Sequence, residues 1–344
     1  MDSVKLVDIC RIEKGQQIDT SRLNDSHRYR YINGGVKESG YYDSFNSNEE
    51  CVLVSEGGAS CGYVNYINEP FWCGCHCYRL FDLKVMPKYL YYALKANQER
   101  IMDLRTGVCM PNIKKKDFQD FVVSIDSDAK RQDVVVKVLD TIQKAIDLKR
   151  KQLEDLDELV KSKFQEMFGD VDTNDKGFET VIGKDVFSFS SGKFLSAEKR
   201  KEEGIPVYGG NGISWFTDEA LIDYPTIIIG RVGAYCGNVK MVNTPVWITD
   251  NAIFIKSFKK QVFNIRFLCQ LMENASFDKY ADVVAQPKIT QKPLENYKYI
   301  VPDIKLQERF ADYVKSVDMA RKTVGDELVD LGELMDSKMD EYFG

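Results

Sequence analysis

The chain has 344 residues, 44% of them apolar and 29% charged, with a formal net charge of -6. That length and apolar share suffice for two domains with cores of their own, while the acidic balance argues mildly against nucleic acid as a partner; what counts there is where the charge lies. No apolar run reaches membrane-spanning length, and nine cysteines follow a start, Met1-Asp2-Ser3-Val4-Lys5, that has neither region of a signal peptide, so the expected location is a reducing cytoplasm.

Residues 1–126 form a long irregular stretch rich in Gly, Tyr and Phe. Short β-type runs such as Cys51-Val52-Leu53-Val54 and a helical stretch from Pro87 to Met102 read as a compact α/β (α+β) globule. The composition then changes. Residues 127–169 contain no proline and are dominated by Lys, Glu, Asp, Leu and Val, with Asp128 placed as an N-cap and Gly169 as the terminating C′ glycine. Residues 170–177 link to a second irregular stretch, 178–302, with a β-type run at Thr226-Ile227-Ile228-Ile229 and a helical stretch from Ile265 to Tyr280. A second proline-free helix follows at 303–344, after Pro302 and an N-cap at Asp303.

The two halves are copies. Adding 175 takes Gly34-Gly35 to Gly209-Gly210, Trp72 to Trp247, Gln132 to Gln307 and Phe168-Gly169 to Phe343-Gly344, while Pro111 slips by one to Pro287. Steps of three and four from Leu139 give Ile142, Ile146, Lys149, Leu153, Leu156, Val160, Lys163 and Met167. From Val314 they give Val317, Arg321, Val324, Leu328, Leu331, Met335, Lys338 and Tyr342, the same register. A narrow 3.5-residue seam on an otherwise polar helix wants a partner helix, and pseudo-twofold symmetry lays the two antiparallel, as rods of roughly 60 Å each. Gly325 and Gly332 weaken the second helix by about 1 kcal/mol each relative to Ala.

Enzyme signatures are missing. There is no phosphate-binding G-x-x-x-x-G-K-[ST], and Gly209-Gly210-Asn211-Gly212 is followed by the strand-like Ile213-Ser214-Trp215-Phe216, which reads as a turn needing positive φ rather than a dinucleotide loop. His27 and His76 are the only histidines, and neither recurs in the other copy, so no catalytic residue is assigned. In Cys73-Gly74-Cys75-His76-Cys77 the spacing puts three thiols on one face of a strand, and the repeat partners Ile248, Asp250 and Ala252 are not ligands, so no metal site is expected.

Basic and aromatic residues gather on loops of both globules. The first has Arg28, Arg30, Tyr31, Lys37, Tyr41, Tyr42, Ser60, Tyr63 and Lys114-Lys115-Lys116. The second has Lys193, Lys199-Arg200-Lys201, Asn211, Ser214, Trp215, Arg231, Tyr235, Asn238, Lys240, Lys259-Lys260, Lys288 and Lys292. Lys and Arg supply a salt-dependent grip on phosphate, and Arg, Asn and Ser on loops can reach base edges. Acidic residues concentrate in the helices, as in Glu154-Asp155-Leu156-Asp157-Glu158, which lets an acidic chain carry basic faces.

The layout resembles the specificity subunit of a Type I restriction–modification enzyme over essentially the whole chain. The residues that carry the likeness are Ile205-Pro206-Val207-Tyr208-Gly209-Gly210-Asn211-Gly212-Ile213, Ile229-Gly230-Arg231-Val232-Gly233-Ala234-Tyr235-Cys236-Gly237, Trp247-Ile248-Thr249-Asp250-Asn251, Gln286-Pro287-Lys288-Ile289 and Val301-Pro302-Asp303-Ile304-Lys305-Leu306-Gln307-Glu308. The first copy departs from it, with Ser55-Glu56-Gly57 where the second has Gly230-Arg231-Val232. The resemblance implies target recognition domains at 1–126 and 178–302 and spacer helices at 127–169 and 303–344. It implies double-stranded DNA with a bipartite target, a gap set by the helices, and docking on two adenine methyltransferase subunits, with or without two restriction subunits. S-adenosylmethionine, ATP and Mg²⁺ then belong to those partners, with no cofactor on this chain and no activity of its own. Two other readings stay open: the recognition subunit of a system whose partner chain both cuts and methylates, and a duplicated protein-binding scaffold that never touches DNA.

Overall fold

Each half of the chain builds the same three sheets from strands in the same order. The structure is a computed structural model that describes all residues except 49, 108–109, 244 and 283–286. In the first half the strands are β1 (Asp2–Lys5), β2 (Arg11–Lys14), β3 (Tyr29–Ile32), β4 (Gly40–Tyr42), β5 (Cys51–Ser55), β6 (Val64–Ile67), β7 (Trp72–Cys73), β8 (Cys77–Phe81) and β9 (Val122–Ile125). In the second they are β10 (Glu179–Ile182), β11 (Phe187–Ser191), β12 (Ile205–Gly209), β13 (Gly212–Thr217), β14 (Thr226–Gly230), β15 (Val239–Val242), β16 (Trp247–Ile248), β17 (Ala252–Phe258) and β18 (Lys298–Val301). The order β2-β8-β5-β6 is repeated as β11-β17-β14-β15, β4-β3-β7 as β13-β12-β16, and β1-β9 as β10-β18. The central strands β5 and β14 are buried at every position, which is why they read as unbroken apolar runs rather than alternating ones.

The sequence spacing places a strand through Cys73, Cys75 and Cys77, and the structure differs. Cys73 ends β7, Cys77 begins β8, and Gly74 to His76 turn between them. Two glycine-restricted contacts force that turn: a Cβ on Gly74 would lie 2.3 Å from Asn33 Oδ1, and one on Gly15 would lie 2.3 Å from the Cys73 carbonyl oxygen.

The long helices run from Ala129 to Phe168 and from Ile304 to Phe343. Asp128 and Asp303 cap them, each carboxylate accepting from the backbone N–H two residues on at 2.9 Å, from Lys130 and Lys305. Gly169 ends the first helix at φ 70°, where an L side chain is strained. A buried glutamine then ties the first turn of each helix to its globule. Gln132 accepts from Met86 N (2.9 Å) and donates to Asp126 O (2.7 Å). Gln307 accepts from Asn264 N (2.9 Å) and donates to Pro302 O (2.8 Å) and Val262 O (3.1 Å).

The chain divides into two compact units, Met1–Lys151 with Gly325–Gly344, and Gln152–Val324. Each unit therefore holds the near half of one long helix and the far half of the other. In the first unit Val136 and Leu139 share a core with Val52, Leu80 and Leu90, and Phe343 enters the same core, its ring 5.3 Å from that of Tyr89. Lys149 pairs with Glu327 at 2.6 Å while the earlier Val136 and Leu139 share their cluster with the later Phe343, so one residue number falls as the other rises and the segments run antiparallel. In the second unit Phe164 and Phe168 of the first helix join Phe267 and Phe310, with Phe168 4.6 Å from Phe267 and 5.4 Å from Phe310. Asp157 pairs with Arg321 at 2.5 Å, again antiparallel.

Every rung of the two seams is buried or half-buried. Leu139, Ile142, Ile146, Val160, Val317 and Val324 are buried, and Leu153, Leu156, Leu328, Leu331 and Met335 are half-buried. The basic rungs sit at the rim, each held by a carboxylate: Lys163 by Glu166 at 2.8 Å and, in the same place on the other helix, Lys338 by Glu341 at 2.5 Å. Exposed pairs of this kind add at most about 1 kcal/mol each, so the apolar rungs and the aromatic helix ends dominate.

Truncating Phe168 to Ala is expected to cost about 3–5 kcal/mol, read as a lower urea midpoint. Val329→Ala, at a side chain 61% exposed, is the control. Equal midpoints for the two variants would remove Phe168 from the core. Gly325 and Gly332 lie inside the helix, and an added Cβ at either meets nothing within 4 Å. Gly325→Ala and Gly332→Ala are each expected to stabilise by about 1 kcal/mol, measured as a rise in Tm; a fall at either position would show that the glycine has a packing role.

Candidate nucleic-acid interface

In the second unit the hairpin β12–β13 turns at Gly210 and Asn211, with Gly209 opposite Gly212 and Gly212 at φ 116°. The turn lies against the end of β14: a Cβ on Gly210 would sit 3.5 Å from Gly230 Cα and 3.4 Å from Asn251 O. A side chain at Gly210 would fit in ordinary contact, but a Cβ on Gly230 would lie 2.1 Å from Tyr235 O and 3.0 Å from Gly210 O, so glycine at 230 is what admits the turn. Beyond β14 the backbone of Arg231 is pinned on both sides, its N–H donating to Asn251 O and its carbonyl accepting from Ile289 N, each at 2.9 Å. The guanidinium Nη1 donates to Asp250 O at 3.3 Å. Lys240, on the neighbouring β15, donates from Nζ to Asn211 O at 3.4 Å. Lys288 bridges Val232 along the backbone. Asn211, Arg231, Lys240 and Lys288 thus come from four separate stretches to one group of loops, and Ser214, Tyr235 and Asn238 are exposed on the same hairpin and on the turn after Arg231.

The first unit repeats the frame with other side chains. Glu56 takes the place of Arg231: its N–H donates to His76 O at 2.8 Å and its carbonyl accepts from Ile113 N at 2.9 Å. Its carboxylate, 9% exposed, turns inward to Lys14 Nζ at 2.6 Å, with His76 Nδ1 at 3.8 Å. Asn65 takes the place of Lys240 and donates from Nδ2 to Gly35 O at 3.3 Å. A buried thiol backs each frame, Cys61 Sγ donating to Glu56 O at 3.1 Å and Cys236 Sγ to Arg231 O at 3.4 Å. Burial raises the pKa of both thiols and so keeps them protonated as donors. Each indole N–H, from Trp72 and from Trp247, donates to a loop carbonyl at 2.9 Å, that of Gln16 or Lys193.

The sequence-selected residues divide. Lys37, Lys114 and Lys115 are exposed, and Tyr41, Ser60 and Tyr63 are half-buried. Lys95 stacks its ammonium 4.1 Å from the Tyr63 ring centroid, and burial lowers its pKa. Tyr42 is a correction: it is 2% exposed, packs with Ile18 and Tyr31, and meets the Trp72 ring edge-on at 4.9 Å, so it supports the hairpin rather than facing a ligand. Tyr31 is buried for the same reason. Trp215 is half-buried on β13, with the Arg200 guanidinium 5.7 Å from its ring. Lys199 and Lys201 are held by Glu219 (2.6 Å) and Asp218 (3.3 Å). Gln286 lies outside the described residues.

Two residues escaped selection by type. Asn65 was within reach by subtracting the repeat offset from Lys240. Asn112 bridges Gly57 as Lys288 bridges Val232, and the one-residue slip between Pro111 and Pro287 would have paired it with Lys288.

Comparison with known proteins gives the family and the fold. The family model described as "Type I restriction modification DNA specificity domain" matches residues 1–158 and again 175–325. A putative type I specificity subunit of Mycoplasma genitalium is 29% identical over 96% of this chain and 86% of its own length. One from Mycoplasma pneumoniae is 28% identical over 72% of this chain and 70% of its own length. The crystal structure of a Type I restriction–modification system S subunit from M. genitalium covers 100% of this chain and 96% of its own, at 25% identity and a TM-score of 0.67. A chain from a structural study of the assembly and conformational transition of the type I system shares the fold, at 12% identity and a TM-score of 0.55 over 99% of this chain and 97% of its own. With two tandem matches over most of its length, the chain belongs to the Type I restriction–modification DNA specificity domain family.

Proposed function

We propose that each unit reads one half of a bipartite double-stranded DNA target through the loops around Gly34–Gly35 and Gly209–Gly210, and that the paired helices set the unread gap. The observation that carries this reading is one backbone frame in both units with different side chains at its tip. Arg231 and Lys240 stand where the first unit has Glu56 and Asn65. A fixed frame holds the reading geometry, and changed side chains change the donor and acceptor pattern offered to base edges. In this reading the chain catalyses nothing and acts in the cytoplasm. Two adenine methyltransferase subunits dock on it, with restriction subunits where the system cuts DNA, and these partners bring S-adenosylmethionine, ATP and Mg²⁺.

Arg231→Ala is expected to weaken binding to the target duplex roughly 5- to 100-fold, the range of one lost base or phosphate contact, and to flatten the salt dependence. Glu158→Ala, on the exposed face of the first long helix, is expected to leave affinity unchanged. A filter-binding assay at two salt concentrations compares them, and equal affinities would take Arg231 out of the interface.

A seven-residue insertion placed after Lys151 and another after Val324 keeps the seam in register and lengthens the helix pair by about 10 Å. Methylome sequencing of a host co-expressing the variant with the adjacent methyltransferase is expected to show the same half-site letters with a gap longer by a few base pairs. An unchanged gap would refute the spacer role. Methylation that is the same with and without this chain, although the intact chain binds the methyltransferase, would favour the protein-scaffold reading.

A further inference from the structure

The second unit contains a cleft of about 650 Å³ between β15, the helix Ile265–Asn274 and the two long helices. In the first unit several of the corresponding wall positions carry larger side chains. The helices Pro87–Ala96 and Ile265–Asn274 align on their caps, Met86 and Asn264, whose N–H groups meet the equivalent glutamines Gln132 and Gln307. On that alignment Lys88 corresponds to Arg266, Tyr91 to Cys269 and Tyr92 to Gln270. On β6 and β15, Tyr66 lies opposite Val52 as Met241 lies opposite Ile227. On the long helices Met335 corresponds to Val160, and Leu139 to Val314. At these five apolar or amphipathic positions the first unit carries the bulkier residue, whereas Asp157 and Arg321 stand where the first unit has Gly332 and Ile146; the cleft opens beside the five smaller residues.

The first unit also shows what the space accepts. The Tyr66 and Tyr91 rings lie 5.6 Å apart, and the Lys88 ammonium sits 5.5 Å from the Tyr66 centroid. In the second unit the cation is present as Arg266, held at 2.7 Å by Asp318, but Met241 puts a thioether where the ring stood. Arg321, which also lines the cleft, is held by Asp318 and Asp157, and its Nε is buried without a hydrogen-bond partner. A guanidinium fixed by a carboxylate offers a flat cationic face, and a methionine sulfur beside it favours a ring edge.

We propose that the cleft beside Met241, Cys269 and Gln270 is a binding site for one aromatic ring, stacked against Arg266 as Tyr66 is set against Lys88. The ring belongs either to a side chain of a docked protein or to a free small molecule. The site stands apart from the DNA reading; only the first source rests on the docking of a methyltransferase.

The test uses the full chain labelled with 13C at its methionine methyl groups and p-cresol, the tyrosine side chain in free form, as the probe. A saturable upfield shift of the Met241 methyl is expected, with a Kd on the order of millimolar for so small a ligand. Replacing Cys269→Tyr and Gln270→Tyr, which rebuilds the wall of the first unit, is expected to abolish it. Should that double variant not fold, Gln270→Tyr alone is expected to weaken binding at least fivefold. No saturable shift, or a shift that survives the filling, overturns the proposal. Affinity of the filled chain for the adjacent methyltransferase then assigns the source. A tenfold loss places the ring on that partner; unchanged affinity, with p-cresol binding lost, places it on a small molecule. DNA binding by the filled chain, read in the same filter assay as Arg231→Ala, is expected to be retained, which separates this test from that of the recognition reading.

Discussion

The fold depends on an exchange of helix ends. Neither globular core closes on its own repeat: Phe343 completes the core built by residues 1–151, and Phe164 and Phe168 complete the one that contains Phe310. A buried aromatic side chain contributes on the order of 2–3 kcal/mol by area alone, against at most about 1 kcal/mol for each rim ion pair and typically about 1 kcal/mol for each cap. The long helices are therefore parts of the two cores as much as they are connectors. At the first helix this explains an aromatic residue followed by glycine: the Phe168 ring enters the core, and Gly169 at φ 70° takes the chain out of the helix at once.

Once that scaffold is in place, two buried glutamines orient the rest. Gln132 and Gln307 each satisfy a helix N-terminus and a strand-end carbonyl at the same time. A buried amide in that position is costly to leave unpaired, so the geometry is held within narrow limits in both units. The reading loops inherit that precision through the short sheets β4-β3-β7 and β13-β12-β16. Gly230, against which the second loop turns, is set by close approach: a Cβ there would lie 2.1 Å from Tyr235 O and 3.0 Å from Gly210 O.

Duplication with divergence underlies both the loops around Gly209–Gly210 and the cleft beside Met241. Where the scaffold is under packing constraint, the copies agree, as in the paired thiols Cys61 and Cys236 and the paired indoles Trp72 and Trp247. Where the copies differ in charge at the tip of the frame, as the inward-turned Glu56 and Arg231 do, the difference suits a reading role. Where they differ in volume inside a wall, as Tyr91 and Cys269 do, the difference leaves a cleft. One repeat thus serves as the physical control for the other.

The family, the two-copy organisation, the seam register and the helix caps were legible in the sequence because they are local or periodic. A heptad ladder, an Asp before a proline-free run and a constant offset need no knowledge of distant contacts. What the sequence did not determine was set by contacts far apart in the chain. Tyr42 looked like a surface aromatic, yet the pairing of β3 with β4 and the edge of Trp72 bury it. Cys73 and Cys77 looked like one strand face, yet the approach of Gly15 and Asn33 bends the chain between them. Arg231 and Glu56 hold the same backbone position, but only the tertiary structure leaves one side chain half-buried against the Asp250 carbonyl and draws the other in toward Lys14. Pattern in a sequence reports periodic burial; which side of a loop faces water depends on what the rest of the fold places beneath it.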